Sequence, residues 1–523
     1  MAISANSVFE ARADATAGNV NGGFFVTGAS GTDYSQQTTA QYAISFTSAG
    51  AGSTILCATA SSDMVGNGLR TTAGTNVTNN MWFEITSVVV GVSITVSTNA
   101  AGTAICTGAA TGGTANIGGA LSLNSTLDDD VFEQMIGGNT VYVRGTSGVL
   151  GLGEAISIAS TSATSTAPIN IIGYNTTRGD NPNPWGGVQP VIAMAANSIS
   201  LAQYWNISFI SFTTTAAAGI TTAIGCNLNQ VKIVNTSTAA SRTGLTVGQR
   251  TYTLACEAVS QNGTAITTSS TSQYINGCYA HDSSIGIAAA SNGTSISNCV
   301  VNSCSTNAMT LTGSTVGNHS VINCTLRGSS GKVGTGINIL AADTPAVRMT
   351  NITISGFTTG VLKSTTNQGT VIDYTCNYYD NTTDATNFTK SSTDIAVDPQ
   401  FVDVAEISGT TATTSGSVLT DSGADFSSVE DNVDFLRVVS GTGVTTGIYL
   451  ITSHTTTTLT VNNALGTSGA GNVVYVVPTG HNLSIGTNLR RLATPLRYGT
   501  ETTNALDIGG VQRIDGSSFI FGA

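Results

Sequence analysis

The sequence predicts an all-β chain in which a solenoid is flanked by small antiparallel β-modules. Of 523 residues 60 are Gly, only 17 are basic and 29 acidic, so Thr, Ser and Asn must supply the surface polarity, and these residues favour strands and turns over helices. Short apolar-alternating runs, separated by turn residues, recur from about residue 139 to 401. Two similar segments lie on either side of these runs.

The N-terminal region, residues 1–126, is expected to hold one β-module at about 50–120. Its first residues, Met1–Asn6, lack a basic stretch and an apolar stretch, so we expect no secretory signal. The next element, Leu127–Ile136, is predicted to be a short helix that caps the solenoid. Acidic residues in its first turn suit the helix dipole, and its apolar residues would cover the first coil.

The solenoid, with its cap helix, is predicted to span residues 127–403. Four cysteines recur at intervals of 22, 21 and 25 residues, and four asparagines follow a similar interval. One strand-turn-strand unit per 20–28 residues is typical of a solenoid, whose coils stack at about 4.8 Å with like residues above like. We therefore expect a column of buried free thiols beside asparagines that cap the turns: Cys256, Cys278, Cys299 and Cys324 beside Asn276, Asn298, Asn323 and Asn351.

The flanks indicate an internal duplication. Leu69–Val77 matches Leu436–Val444 at an offset of 367 residues, and Ile94–Val96 corresponds to Leu459–Val461. We predict the same β-module in residues 404–480. Residues 481–523 form a C-terminal extension that is either solvated or attached to an acidic partner through Arg490, Arg491, Arg497 and Arg513.

The middle of the chain resembles the pectate-lyase-like superfamily, on the segments Asn139–Val143, Ile296–Asn302, Val321–Thr325 and Asp398–Phe401. This resemblance implies a right-handed parallel β-helix over about half the chain. Three further segments, Met1–Phe9, Thr32–Gln37 and Gly173–Asp180, resemble tailed-bacteriophage proteins that combine such a helix with small β-modules. That resemblance implies a virion or appendage protein, assembled as a trimer or cluster. A surface-type composition without a secretory signal favours assembly in the host cytoplasm and release by lysis.

Candidate catalytic residues are few. Glu257 and Asp282 are predicted to be neighbours across one coil boundary, while His281, Asn302 and Arg327 each lie three residues past a column cysteine. The latter three would form a polar line suited to an acidic sugar, or would simply solvate a turn. The paired aspartates of polygalacturonases are absent from the sequence, as are the clustered metal-binding aspartates of the lyases, which favours a protein that is not an enzyme.

Aromatic residues are the remaining candidates for glycan binding, because amphipathic rings stack well at interfaces, although packing in the core or in loops is the favoured alternative. We expect no cofactor and no metal, because the histidines lack ligand spacing. A net charge of −12 argues against nucleic-acid binding, and no apolar run is long enough to span a membrane. The glycan-binding candidates, together with Asn302, are Trp185, Tyr204, Trp205, Tyr378 and Tyr379.

These observations favour a non-enzymatic structural virion protein. It would be a head decoration or a tail-fibre appendage, a homo-oligomer that contacts other capsid or tail proteins and adheres weakly to host surface glycan. The first alternative is a tailspike-like depolymerase, acting as a polysaccharide lyase or as a glycoside hydrolase with two separated carboxylates. The second alternative is a bacterial surface adhesin.

Overall fold

The fold is seen in a computed structural model, in which nearly every regular element is a β-strand. Among the residues that it describes, the exception is a 3₁₀ turn at Ser62–Met64. Most of the expected cap helix (127–134) lies outside the described residues, as do Arg490, Arg491 and Arg513. The described residues are 7–11, 24–26, 42–47, 54–65, 68–74, 76–77, 82–96, 105–117, 135–146, 148–152, 155–157, 163–176, 178–182, 189–290, 293–313, 318–328, 331–341, 346–364, 370–401, 406–479, 497–498 and 501–502.

The chain divides into two compact units, Met1–Thr214 with Ile220–Lys232 and Thr215–Gly219 with Ile233–Ala523. In each unit the solenoid strands pass in turn through a first, a second and a third parallel sheet. The all-β prediction of a parallel β-helix with small antiparallel modules is thereby confirmed.

In the first unit, the first sheet contains Ser7–Ala11, Thr140–Arg144, Ile169–Tyr174, Trp205–Ser208 and Asn227–Asn229, with Phe24–Val26 antiparallel to Ser7–Ala11; the second contains Leu150–Gly151, Val191–Ala193 and Ser211–Thr214; the third contains Ile156–Ser157 and Ile199–Ser200. Two strands, Ala218–Thr221 and Lys232–Asn235, lie at the unit boundary.

In the second unit, the first sheet contains Tyr252–Leu254, Tyr274–Asn276, Ser295–Ser297, His319–Ile322, Ala346–Thr350 and Thr370–Tyr374; the second contains Glu257–Ser260, Tyr279–His281, Val300–Asn302, Thr325–Arg327, Thr353–Ser355 and Asn377–Tyr379; the third contains Thr243–Val247, Thr264–Thr268, Ile285–Ala289, Asn307–Gly313, Thr335–Ala341, Thr359–Lys363 and Thr383–Thr386. A separate pair, Arg497–Tyr498 and Glu501–Thr502, is antiparallel.

The first strand of the solenoid comes from the N-terminal residues. Ser7–Ala11 pairs in parallel with Thr140–Arg144, so a barrel is inserted between two neighbouring strands of one sheet. Glu10 on this strand is fully buried, accepts hydrogen bonds from the Tyr174 hydroxyl and from Arg178 Nε, the latter at 3.1 Å, and thereby fixes the strand. Sequence analysis did not place these residues in the solenoid.

Parallel, in-register stacking brings like residues together along the second unit. The four column cysteines are buried and free. Each follows a bend residue with positive φ, at Asn298 with φ +54° and at Asn323 with φ +52°, a conformation that Asn tolerates better than most residues. The amides of these asparagines form a ladder: Asn298 Nδ2 donates to Asn276 Oδ1 at 2.8 Å, and Asn351 Nδ2 donates to Asn323 Oδ1 at 3.1 Å.

Two closed barrels have the same strand order. The first is built, in order around the barrel, from Tyr42–Phe46, Thr54–Leu56, Ser93–Val96, Trp82–Val89, Gly68–Ala73 and Ala110–Ile117; the second from Glu406–Ser415, Val418–Thr420, Thr458–Val461, Gly447–His454, Phe435–Ser440 and Ser468–Pro478. Gly74 and Gly441 occupy matching places in the two barrels, with φ +138° and +156°. A Cβ added at Gly74 would lie 2.6 Å from Val77 Cγ2, and one added at Gly441 would lie 2.9 Å from Val444 Cγ2. The barrels thus share a glycine requirement as well as a topology.

Candidate functional site

The second sheet of the second unit carries three of the four predicted catalytic residues, Glu257, His281 and Arg327. Its register pairs His281 with Asn302 and Asn302 with Arg327, so the polar line expected from the cysteine spacing is present. On the preceding strand, Glu257 pairs with Tyr279. Alternation on each strand directs the intervening small residues, such as Ala280, into the core.

Glu257, His281 and Asp282 form a buried cluster. His281 Nε2 lies 3.2 Å from Glu257 Oε1, and His281 Nδ1 lies 2.7 Å from Asp282 Oδ2. Burial disfavours the charged imidazole, but the hydrogen bonds to the two carboxylates outweigh this effect and raise the pKa of His281 to about 9. At neutral pH the imidazole is therefore protonated between two carboxylates.

Two arginines extend the cluster. Arg327 Nη2 lies 3.0 Å from Glu406 Oε1, and Arg327 Nη1 donates to Asn302 Oδ1 at 3.4 Å. Arg437 is buried, which lowers its pKa, while the negative charges of Asp282 and Glu406 oppose this change. We call the resulting network the polar clamp; it consists of Glu257, His281, Asp282, Arg327, Glu406 and Arg437.

The C-terminal barrel covers this face of the solenoid. Phe435 and Ile448 of the barrel pack against Val259 of the second sheet. The rim is polar, because Asn462 Nδ2 donates to Gln261 Oε1 at 3.0 Å. The polar clamp therefore joins two parts of one unit.

This burial bears on the predicted roles. Asn302 is fully buried, and Glu257, His281 and Asp282 are no more than 5% exposed, so they do not present a polymer-binding face. The prediction that Asn302 contacts glycan is wrong for this reason. The assignment of the three acid–base residues and Arg327 as catalytic stays a prediction; the Arg327 side chain is 13% exposed and is paired with Glu406.

The aromatic candidates divide by burial. Trp205 and Tyr378 are at most 1% exposed, so both rings lie in the core, which is the favoured alternative to sugar stacking. Tyr204 is half-buried beside Gly225, and Tyr379 is also half-buried. Trp185 lies outside the described residues.

Sequence analysis missed an exposed aromatic pair on the first sheet of the second unit. Tyr252 and Tyr274 are 53% and 42% exposed, and their rings are stacked with centroids 4.6 Å apart. The register continues through Ser295 and Ser320 to the exposed Arg348. The two tyrosines are separated by 22 residues, the interval of Cys256 and Cys278, so the same period could have identified them.

A second missed feature is a pair of carboxyl groups at the last coil. Burial and a hydrogen bond to Asp373 raise the pKa of Asp394 to about 7. Asp394 Oδ1 accepts the N–H of Cys376 at 2.9 Å, and Asp373 Oδ1 accepts that of Ser391 at 3.1 Å. Through these backbone contacts the two carboxylates hold the segment from Ser391 to Asp394 against the solenoid.

Within the described ranges, no group of three or more His, Cys, Asp and Glu side chains has a metal-binding arrangement. No helix in the same part of the chain is long and apolar enough to cross a membrane.

No protein-family model and no curated protein matches this chain. Among solved structures it is similar to the pectate lyase Pel9A, at 11% identity and a TM-score of 0.43 over 74% of this chain and 90% of that one. It is similar to the tailspike protein gp49 from Pseudomonas phage LKA1, at 12% identity and a TM-score of 0.22 over 85% and 82%. A third is the Gp54 tailspike of Acinetobacter baumannii bacteriophage AP22, in complex with A. baumannii capsular saccharide, at 11% identity and a TM-score of 0.20 over 84% and 83%.

With TM-scores below 0.5, none of these similarities supports an assignment of function. The architecture stands on the strand pairing itself: the chain is a parallel β-helix protein that carries two small closed β-barrels.

Proposed function

We propose that this protein is a non-enzymatic structural component of a bacteriophage particle, a head decoration or tail appendage. The observation that carries the mechanical role is the buried polar clamp. Its acid–base residues are satisfied by one another and covered by the C-terminal barrel, so they serve to fix this barrel on the solenoid strands of the second unit. A buried ion network of this kind needs both partners, because removing one leaves an uncompensated charge.

The assignment to a phage particle rests on the sequence resemblance. One resembling segment, Gly173–Asp180, supplies both partners of a buried contact: the Glu10 carboxylate accepts hydrogen bonds from Tyr174 and Arg178. Glu10 directly follows the resembling segment Met1–Phe9 and lies more than 160 residues from these partners in sequence. In this role the protein would contact other capsid or tail proteins, and it would reach the medium when the host cell is lysed.

The exposed Tyr252–Tyr274 pair supports weak adhesion to host surface glycan. Stacked, solvent-facing rings offer apolar edges and hydroxyl groups side by side, the combination by which Tyr serves at wet interfaces. The same register carries the serine hydroxyls and Arg348, which forms no ion pair with any residue in the described ranges. Many copies on one particle would convert weak contacts into useful avidity.

Purified particles provide the test of the structural role. Mass spectrometry should detect the chain in stoichiometric amounts, and single-particle imaging should locate it at symmetry-related sites. Its absence from purified particles would refute the proposal.

The proposal that the protein is not an enzyme is tested by incubating the purified protein with host surface polysaccharide. We expect no new reducing ends and no unsaturated uronate. Release of either product by the wild type, and its loss in Glu257→Gln, would establish the depolymerase alternative. The matched control is Lys332→Gln, which removes one partner of an exposed ion pair between Lys332 and Asp380.

A further inference from the structure

Lys390, Asp384 and Asn381 form a connected trio of side chains at the last coil of the solenoid. Lys390 Nζ lies 2.7 Å from Asp384 Oδ2, and Asn381 Nδ2 donates to Asp384 Oδ1 at 3.3 Å. One carboxylate thus contacts an amine and a carboxamide at the same time. A neutral amine is a nucleophile, a carboxamide carbon is an electrophile, and a carboxylate can carry a proton between the two groups. The trio therefore contains the groups needed to form an amide bond between two side chains.

The carboxamide of Asn381 is held in one orientation. Its Nδ2 donates a second hydrogen bond to Ile354 O at 3.1 Å, and its Oδ1 accepts the backbone N–H of Phe357 at 3.1 Å. A backbone N–H at this oxygen polarises the carbonyl and stabilises the negative charge that the oxygen gains when a nucleophile adds to the carbon. Phe357 N–H is therefore placed as an oxyanion donor for attack on Asn381.

The amine of Lys390 is held on the other side of the same carboxylate. Its Nζ lies 4.9 Å from the ring centroid of Tyr378, which is buried. Rotation of the flexible lysine stem past Asp384 is the movement that attack on the carboxamide requires. The lysine and aspartate side chains are 33% and 31% exposed, so ammonia released at the trio can escape into solvent.

We infer that Lys390 and Asn381 become joined by an isopeptide bond between their side chains, with Asp384 as the proton carrier. Asp384 accepts a proton from the lysine ammonium, and the neutral amine adds to Cγ of Asn381. Asp384 then returns the proton to Nδ2, the Cγ–Nδ2 bond breaks, and ammonia leaves. A second proton passes from the new amide nitrogen through Asp384 to the ammonia, so an ammonium and a carboxamide become a secondary amide and an ammonium ion.

The bond would fasten the chain segment that ends the solenoid. Asn381 lies between the last strand of the second sheet, Asn377–Tyr379, and the last strand of the third, Thr383–Thr386, whereas Lys390 lies beyond both. The residues after Lys390 cover a strand edge, since Ile395 pairs with Asn377. Because strand edges and chain ends are places where a fold opens locally, a covalent link here would keep the covering segment in place. This inference goes beyond the proposed function and does not depend on it.

Intact-protein mass spectrometry of the purified full-length chain tests the bond. We expect most wild-type molecules to be lighter than their sequence by one ammonia, and fragmentation should locate the link between residues 381 and 390. Lys390→Arg keeps a positive charge beside Asp384 but lacks the amine, and Asp384→Asn removes the proton carrier, so both should keep their full sequence mass. The matched control is Lys332→Arg, since the partner of Lys332, Asp380, bonds to no carboxamide among the described residues; this variant should lose ammonia as the wild type does.

The outcomes separate the bond from other reactions of asparagine. A wild type with its full sequence mass would overturn the inference and leave the role in the particle untouched. Loss of ammonia that persists in Lys390→Arg would also overturn it, because an asparagine would then have cyclised onto the backbone instead. Formation of the bond in Asp384→Asn would overturn the role assigned to Asp384.

Discussion

Replacing His281 by Gln tests the polar clamp at its centre. The imidazolium lies between Glu257 and Asp282, with all three residues buried. A pKa rise from 6.5 to about 9 corresponds to about 3.4 kcal/mol at roughly 1.36 kcal/mol per pKa unit. His281→Gln leaves two buried carboxylates without this cation, and we expect the free energy of unfolding to fall by about 3–5 kcal/mol.

The sign of the pH dependence follows from the raised pKa. Between pH 6.5 and about 9 the folded protein keeps a proton that the unfolded chain has lost. The stabilisation is therefore fully present below pH 6.5 and is lost as the pH rises to about 9. We expect the wild type to lose stability over this range and His281→Gln to change much less.

Urea unfolding at pH 6, 7.5 and 9 measures this difference, and hydrogen exchange of strand Phe435–Ser440 reports on the docked barrel. The triple variant Glu257→Gln/His281→Gln/Asp282→Asn is the control, because removing every charge of the trio should recover much of the lost stability. Equal pH dependence in wild type and His281→Gln, with no loss at pH 6, would refute the reasoning.

Substitutions at three other positions test separate features. Asn298→Ala should destabilise the second unit by about 1–3 kcal/mol by breaking the amide ladder and straining a positive φ, whereas Asn298→Gly should cost less because it relieves the strain; equal losses in urea unfolding would contradict this. Gly441→Ala should lower the melting temperature of the second barrel, since the new Cβ would meet Val444 at 2.9 Å; an unchanged calorimetric transition would count against the fit. The raised pKa of Asp394, about 7, means that stability should fall as pH rises from about 4 to 7, by about 1–2 kcal/mol after solvent screening. Asp394→Asn should flatten that profile in thermal unfolding, and an unaltered slope would contradict the raised pKa.

The solenoid could be predicted from the sequence because in-register stacking requires similar residues at a regular interval along the chain. Like residues must recur once per coil, so the column cysteines and the asparagine ladder are visible as intervals. The same interval placed His281, Asn302 and Arg327 on one line. Tyr252 and Tyr274 share this interval too, whereas the predicted aromatic candidates include pairs adjacent in sequence, Tyr204 with Trp205 and Tyr378 with Tyr379.

Burial could not be predicted in the same way. Phe435 and Ile448 belong to the barrel that covers the line of His281, Asn302 and Arg327, and they lie more than 100 residues from that line in sequence. No local sequence pattern predicts such a contact. Trp205 is different, because apolar and polar residues alternate along its strand, Trp205–Ser208. Such alternation predicts that Trp205 and Ile207 point into the core. The pairing of Ser7–Ala11 with Thr140–Arg144 also leaves no periodic signal, since a whole barrel separates the two strands.

That insertion imposes an order on folding. Strand Ser7–Ala11 leaves the ribosome well before its neighbour Thr140–Arg144, and at about 5–20 residues per second its edge stays unpaired for many seconds. The barrel needs only closer contacts, and its first and last strands pair with each other, Tyr42 opposite Ala115. Once it folds, the loop that must close between the two solenoid strands shortens to the connections on either side, which lowers the entropic barrier to joining them. We therefore expect the N-terminal barrel to fold first during synthesis, so that a mutation that unfolds it also delays the start of the solenoid.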